Sequence, residues 1–308
     1  MRASEVLKLL LYFDVFSHPL KEEEIRQYLG VPEKDIAKLE SALQYLKSQG
    51  LVNFFEGYYF TGTDRTKVSR RKQANLYAEK RMKTALVFSR IISWFPFVRG
   101  VFLSGSISKG VMKGDDDIDF FIVTQPGRLW ISRTLLILFK KIFLFNSYRN
   151  FCVNYFVDSH NLVVKEQNRY VATEIAFLLP VFNYPLYLQL LKQNSWIKAY
   201  YPIFSQSGDL DIEKEPFFKK WVEKAIEWFG DALDDFLFEK SKNYISHKFS
   251  AKENPHFERS FLIEKNELRF LPNSQHYVVL KSYKNKVLKV WDLIEKADAD
   301  YHIQNIKV

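Results

Sequence analysis

One stretch constrains everything else in this chain: residues 101–124, VFLSGSISKGVMKGDDDIDFFIVT. An apolar run, Val101 to Leu103, stops at Ser104-Gly105-Ser106, and a short segment carrying Lys109, Gly110, Lys113 and Gly114 follows. Asp115, Asp116, Asp117 and Asp119 then crowd around Ile118, and the chain runs straight on into Phe120-Phe121-Ile122-Val123. This reads as strand, Gly-Ser turn, short helix or loop, second strand. Carboxylates open the second strand, where a buried strand would open on apolar residues. Side chains alternate along a strand, so Asp117 and Asp119 share one face while Ile118 and Phe120 take the other.

On one strand face the two carboxylates stand about 6–7 Å apart. Like charges at the rim of an apolar sheet repel, and burying them is costly. A hard divalent cation removes both penalties, and Mg²⁺ is commonly held by one or two carboxylates and completed by phosphate oxygens. Gly105 allows a tight turn and a close approach to the main chain. Ser106 adds a hydroxyl, and the helix start behind it offers N–H groups suited to a phosphate.

Gly105-Ser106, a gap of ten residues, then Asp117-Ile118-Asp119 inside an apolar strand resembles the signature of the DNA polymerase beta-like nucleotidyltransferase superfamily. The resemblance implies a small mixed sheet backed by helices and a metal-dependent transfer of a nucleoside monophosphate from an NTP such as ATP to an acceptor hydroxyl. It implies two Mg²⁺ ions on Asp117 and Asp119, with Gly105, Ser106 and Lys109 at the phosphates. It also implies a third carboxylate from a neighbouring strand. That strand, NFCVNYFVD, carries Asn154 at its middle, and an amide cannot act as a base. Asp158 at the strand end is therefore the expected third catalytic carboxylate beside Asp117 and Asp119, and Glu174 on the next helix is the fallback. A second class of function stays open: a non-catalytic nucleotide-sensing or DNA-binding regulator with a degenerate transferase domain.

The chain of 308 residues is long enough for two or three domains. Its single cysteine, Cys152, excludes an intramolecular disulfide and a Cys-based zinc site, and the scattered histidines show no zinc spacing. No signal-peptide pattern is visible, and the apolar runs 129–145 and 170–191 are broken by charges and prolines. A membrane partner is therefore not expected, and the chain reads as soluble and cytoplasmic. A net charge of +9 suits a nucleic acid or a nucleoside triphosphate and does not choose between them. No GxxxxGK[ST] loop exists, which excludes a P-loop NTPase. Arg269 and His276 match the spacing of a HEPN ribonuclease pair, but Pro272 and Asn273 interrupt the helix that pair needs.

Taken in order, the expected class is α+β with four parts. Residues 1–63 read as three helices (4–16, 20–29, 33–48) and a hairpin around Glu56-Gly57, the order of a winged helix. The outward face of its third helix is mixed in charge. Residues 64–97 form a connector helix whose basic run, Arg65 to Lys83, is either a phosphate-contacting stripe or a solvated face. Residues 98–168 form the nucleotidyltransferase core, with a helix over 129–145, a strand over 150–157 and a fourth strand near 162–164. Residues 169–308 read as a mainly helical region: helix over 170–193 with a break at Pro180, an amphipathic helix over 216–242 whose aromatic stripe is expected in the core, a loop over 243–258, a hairpin near 261–271, and a last helix over 278–297. The order of parts, with FDVFSHPL, FCVNYF and NSWIKAYYP, also resembles uncharacterised prokaryotic nucleotidyltransferase-domain proteins, a family that implies architecture but no substrate. The acceptor is accordingly open between a nucleic acid end, a protein side chain and a small molecule.

Overall fold

The computed structural model describes residues 2–203, 206–208, 210, 216–248, 261–270, 275–293 and 295. It is a mixed α+β fold. Helices α1 (Ala3–Asp14), α2 (Glu22–Leu29) and α3 (Ile36–Ser48) come first, followed by a hairpin of β1 (Asn53–Phe55) and β2 (Tyr58–Phe60). Glu56 and Gly57 both have positive φ, the turn conformation that matches the twist of paired strands. Leu20 pairs with Tyr59 through two backbone hydrogen bonds (3.0 and 2.7 Å), so the link between α1 and α2 is stitched to the hairpin.

Helix α4 (Thr66–Ser93) carries most of the basic run, and the cations of its first two turns are paired within the molecule. Lys67 pairs with Asp14 (2.5 Å), Arg70 with Asp64 (2.7 Å) and Lys72 with Glu56 (2.6 Å). Arg71 is buried: Nη2 meets Glu24 (2.6 Å), Nη1 donates to the Pro19 carbonyl (2.8 Å) and contacts His18 Nε2, and Nε donates to Asn75 (2.9 Å). The first half of α4 is thus a fastener for the N-terminal helices.

A six-stranded sheet forms the centre, in the order β6-β3-β4-β5-β8-β7. Strand β3 (Val98–Ser104) leads through the one-turn helix α5 (Gly105–Ser108) to β4 (Asp119–Thr124), and these two strands are antiparallel. Helix α6 (Leu129–Phe143) crosses over to β5 (Cys152–Asp158), which runs parallel to β4. The region expected to be a separate, mainly helical part supplies the other three strands. Residues 162–164 are not a strand; the Asn194 side chain bonds their backbone instead, accepting from Val164 N and donating to the Leu162 carbonyl. The fourth strand is β6 (Leu179–Phe182), placed where Pro180 was expected to break a helix. Proline lacks a ladder donor and is tolerated in an edge strand, the position β6 holds beside β3. Strands β7 (Phe261–Ile263) and β8 (Glu267–Phe270) extend the other side as the expected hairpin.

Both faces of the sheet are covered. Phe102, Phe121, Val123 and Val157 pack with α7 (Arg169–Ala176), α8 (Tyr184–Gln193) and the N-terminal helices. Val101, Leu103, Phe120, Ile122 and Phe156 pack with α4, α6 and α10 (Gly230–Lys248). The helix expected over 216–242 is two helices, α9 (Phe217–Glu227) and α10, and α10 runs on to Lys248 through part of the expected loop; residues 249–258 lie outside the described residues. Its aromatic stripe is not in the core: Trp221, Trp228 and Phe229 are exposed. The last helix, α11 (Gln275–Lys289), packs on α1 and α7 and places Lys286 on Asp14 (2.5 Å); the residues after Ala297 lie outside the described set. Among the described residues no helix is long and apolar enough to cross a membrane.

Removing one partner of a buried, hydrogen-bonded ion pair leaves the other charge uncompensated. Arg71→Ala is therefore expected to lower unfolding free energy by about 3 kcal/mol in urea denaturation. Arg70→Ala, which breaks only an exposed pair, should cost under about 1 kcal/mol. Equal losses in the two variants would remove Arg71 as the fastener.

Candidate functional site

The antiparallel ladder between β3 and β4 ends at the pair Ser104–Asp119. The chain must turn at the next residue of β3, and Gly105 does so with φ +67. A side chain here is excluded twice. That backbone conformation disfavours L residues, and a Cβ would run into Asp119 Oδ2 and sit 3.3 Å from its Cγ. The Ser106 hydroxyl is half-exposed and has no hydrogen-bond partner among the described residues. Asp117 precedes β4 in irregular backbone, and Asp116 caps its own turn by accepting from Lys113 N (2.9 Å).

Lys109 closes the other side. Its Nζ donates to the Gly105 carbonyl (3.0 Å) and to both carboxylate oxygens of Glu174 on α7 (3.1 Å each). Glu174, Lys109, Gly105 and Asp119 therefore form a continuous polar wall. Burial is the main force on Asp119 and lifts its carboxyl from an ordinary 3.8 to about 7. The Cys152 thiol, donating to the carboxylate, works against that rise, the Asp117 and Glu174 carboxylates add to it, and Lys109 reduces it. Asp117 is raised as well, by burial first and then by Asp116, with Arg81 and Lys140 opposing.

The structure brings Gly105, Ser106, Lys109, Asp117 and Asp119 to one end of the sheet, and it does not bring Asp158 there. Thr124, at the far end of β4, pairs with Asp158, so five residues of strand, about 17 Å, separate it from Asp119. The Asp158 carboxylate accepts from His160 N (2.9 Å), as a turn-forming aspartate does. The β5 residue beside Asp119 is Cys152. Asn154 lies in a bulge of β5 and donates to Cys152 Sγ (2.8 Å). The third carboxylate in contact with the site is Glu174.

Two residues had no signal in the sequence. Cys152 reads as a small apolar residue until the register sets it against Asp119. Lys140 reads as a charge breaking an apolar run, yet it is buried, with its ammonium 3.4 Å above the Tyr148 ring. Burial brings its pKa down to about 8; the nearby Cys152 and Asp117 pull the other way. The HEPN-like pair also meets in space, since Arg269 (2.9 Å) and His276 (3.7 Å) both approach Glu166, but the two sit on a strand and a separate helix.

The donors at the site are carboxylate oxygens of three half-buried, electrostatically coupled groups, Asp117, Asp119 and Glu174. That set fits a hard divalent cation. Among the described residues no group of three or more His, Cys, Asp or Glu is placed to hold a metal ion. A cation here would rest on Asp117 and Asp119 and take its remaining ligands from a bound molecule's oxygens. No family model matches the chain, and comparison with curated proteins and with solved structures finds no match.

A carboxyl whose pKa is raised on folding contributes stability that is complete below its unfolded value, near 4, and is lost as pH rises through about 7. His18 runs the other way. Burial first, then Arg71 and Lys109, hold its pKa well below the ordinary value, so its contribution is present above about pH 6.5 and is lost on acidification. His18 is common to wild type and Asp119→Asn, so their difference isolates Asp119. In metal-free buffer the variant should gain on wild type between pH 4 and pH 8 by on the order of a few kcal/mol. A pH-independent difference in denaturation midpoints would mean that Asp119 is not held at an electrostatic cost.

Proposed function

We propose that this chain is a metal-dependent nucleotidyltransferase that moves a nucleoside monophosphate from an NTP to an acceptor hydroxyl. One observation carries the reading: Asp119 is half-buried against a glycine turn, within the field of Asp117 and Glu174, with no cation among the described residues paired with it directly. In this reading Gly105 and Ser106 present main-chain N–H groups and a free hydroxyl to the triphosphate, and Asp117 and Asp119 would hold Mg²⁺. When bound, the metal would supply positive charge across the phosphate oxygens. The acceptor oxygen bonds to the α-phosphorus, the bond to the bridging oxygen breaks, and pyrophosphate leaves. Glu174 takes the acceptor proton, the role that Asp158 is too distant to fill, and Lys109 orients its carboxylate.

The N-terminal helices and hairpin are read as a winged helix that buttresses the site. Their contribution to a nucleic-acid acceptor is not supported by α4, whose first cations are already paired. A second reading has its own observation. Cys152 is paired with Asp119 and Asn154 sits at mid-strand, where the superfamily resemblance implies a carboxylate, which favours a regulator that binds metal–nucleotide without turnover.

Calorimetry with ATP and GTP, with and without Mg²⁺, together with pyrophosphate release in the presence of cell extract, tests both. The enzyme reading expects Mg²⁺-dependent binding and release, both lost in Asp117→Asn. Glu174→Gln should keep NTP affinity and lower turnover by roughly 10²–10⁴-fold, while Asp158→Asn should stay within about twofold of wild type. Binding without release in any extract supports the regulator; tight binding indifferent to chelator counts against both.

A further inference from the structure

Helix α9 is amphipathic, and it is mounted with its polar face inward. Residues spaced by four lie along one side of a helix. On α9 that side is Lys219, Glu223 and Glu227. Lys219 is 1 % exposed and donates to the carbonyls of Ser93 (2.9 Å) and Val98 (2.7 Å). Glu223 accepts from Phe97 N (2.6 Å) and from the Arg99 guanidinium (2.7 and 3.0 Å). Glu227 accepts from Arg128 (2.5 and 3.2 Å), whose other arm holds Asp231 (2.6 Å). Three successive polar anchors fix how the helix is rotated.

The consequence is an apolar ridge facing out. Phe217 is 83 % exposed, Trp221 72 %, Trp228 88 % and Phe229 64 %. The helical period sets Phe217, Trp221 and Trp228 within about 40° of one another on the outer side, with Ala225 beside them and Lys224 on the flank. Lys220 and Lys224 are exposed and carry no ion pair among the described residues, whereas Glu223 pairs with Arg99, and Glu227, itself exposed, pairs with Arg128. The outer face of α9 is therefore aromatic and cationic, with its acids neutralised by arginines.

We propose that α9 docks this protein onto an anionic lipid surface, with the Phe217–Trp221–Trp228 ridge entering the headgroup region. Tryptophan and phenylalanine beside lysines are the composition of helices that lie in the membrane interface. The ridge is convex and one helix wide, a shape that enters a headgroup layer without needing a matching groove. A second copy is a poor occupant, because facing ridges would bring Lys220 and Lys224 against their own equivalents. The absence of a crossing helix concerns spanning and leaves lying on the surface open.

The full chain is floated with vesicles of phosphatidylcholine alone and of phosphatidylcholine mixed with phosphatidylglycerol, and quenching of tryptophan fluorescence by brominated lipid is read in parallel. Expected are binding to the mixed vesicles that weakens with salt, and a partition lowered on the order of tenfold or more by Trp221→Ser with Trp228→Ser. Ala225→Glu, which puts a carboxylate on the outer face, should act in the same direction. Lys220→Gln with Lys224→Gln should reduce binding to the anionic vesicles and remove its salt dependence. These exposed substitutions should leave the melting temperature unchanged, so lost binding is not lost folding. No flotation with mixed vesicles, flotation indifferent to the tryptophan and Ala225 variants, or a dimer in sedimentation equilibrium that those variants dissolve would each overturn the proposal. None of these readouts involves nucleotide, so the transferase reading stands or falls separately.

Discussion

A half-buried carboxylate at the rim of an apolar sheet carries an electrostatic cost that its surroundings reduce but do not cancel, and the local architecture follows from that. Asp119 is open enough to meet a ligand only because residue 105 has no side chain. Cys152 donates to it from the parallel neighbour strand. Lys109, the nearest cation, is already bound to the Gly105 carbonyl and to Glu174, so it lowers the cost without closing the site. A direct Lys109–Asp119 pair would have satisfied the charge and left nothing for a cation to bind. In the proposed reading, that incomplete compensation is what a bound cation would answer.

The same end of the sheet is held by α4, which ties the N-terminal helices to the site loop. Asn75 takes Nε of Arg71 and donates to the Gly110 carbonyl (2.5 Å). Met112 N donates to the Ala74 carbonyl (3.1 Å), and the Tyr77 hydroxyl donates to the Gly114 carbonyl (3.1 Å). Arg81, further along, donates to the Arg149 carbonyl and exerts its charge on Asp117. One face of α4 thus fixes the loop between Gly110 and Gly114, and its first turns fix the N-terminal helices. The loop that delivers Asp117 has no regular structure of its own, so its conformation depends on this helix.

How much of this was legible follows from which interactions are local. The periods of α1 to α4 and α6, the Glu56-Gly57 hairpin and the Gly-Ser turn are written in neighbouring residues, and each lies close to where the sequence places it; β4 opens at Asp119 and leaves Asp117 in irregular backbone before it, so the two do not share a strand face as expected. Strand β6 was hidden because Pro180 in an apolar run reads as a helix break, and only its edge position makes it a strand. The third carboxylate was misplaced because strand parity says which face Asp158 uses but not how far along the neighbour it lies; register is a tertiary quantity. Lys109 and Glu174, 65 residues apart, meet only once α7 is packed on the sheet.

The aromatic stripe of α9 shows a different limit. Amphipathic periodicity tells that a helix has two unlike faces and not which one faces the protein. The usual inference sets the apolar face inward because burial of apolar area outweighs most surface interactions. Here the inward face is chosen by Lys219, Glu223 and Glu227, each meeting a backbone group or a guanidinium. Those anchors lie at Val98, Arg99 and Arg128, the end of β3 away from Gly105. Seven residues of strand, about 20 Å, separate the aromatic ridge's mounting from the carboxylates. A surface engaged by α9 would therefore lie at the opposite end of β3 from the Gly105–Asp119 pair.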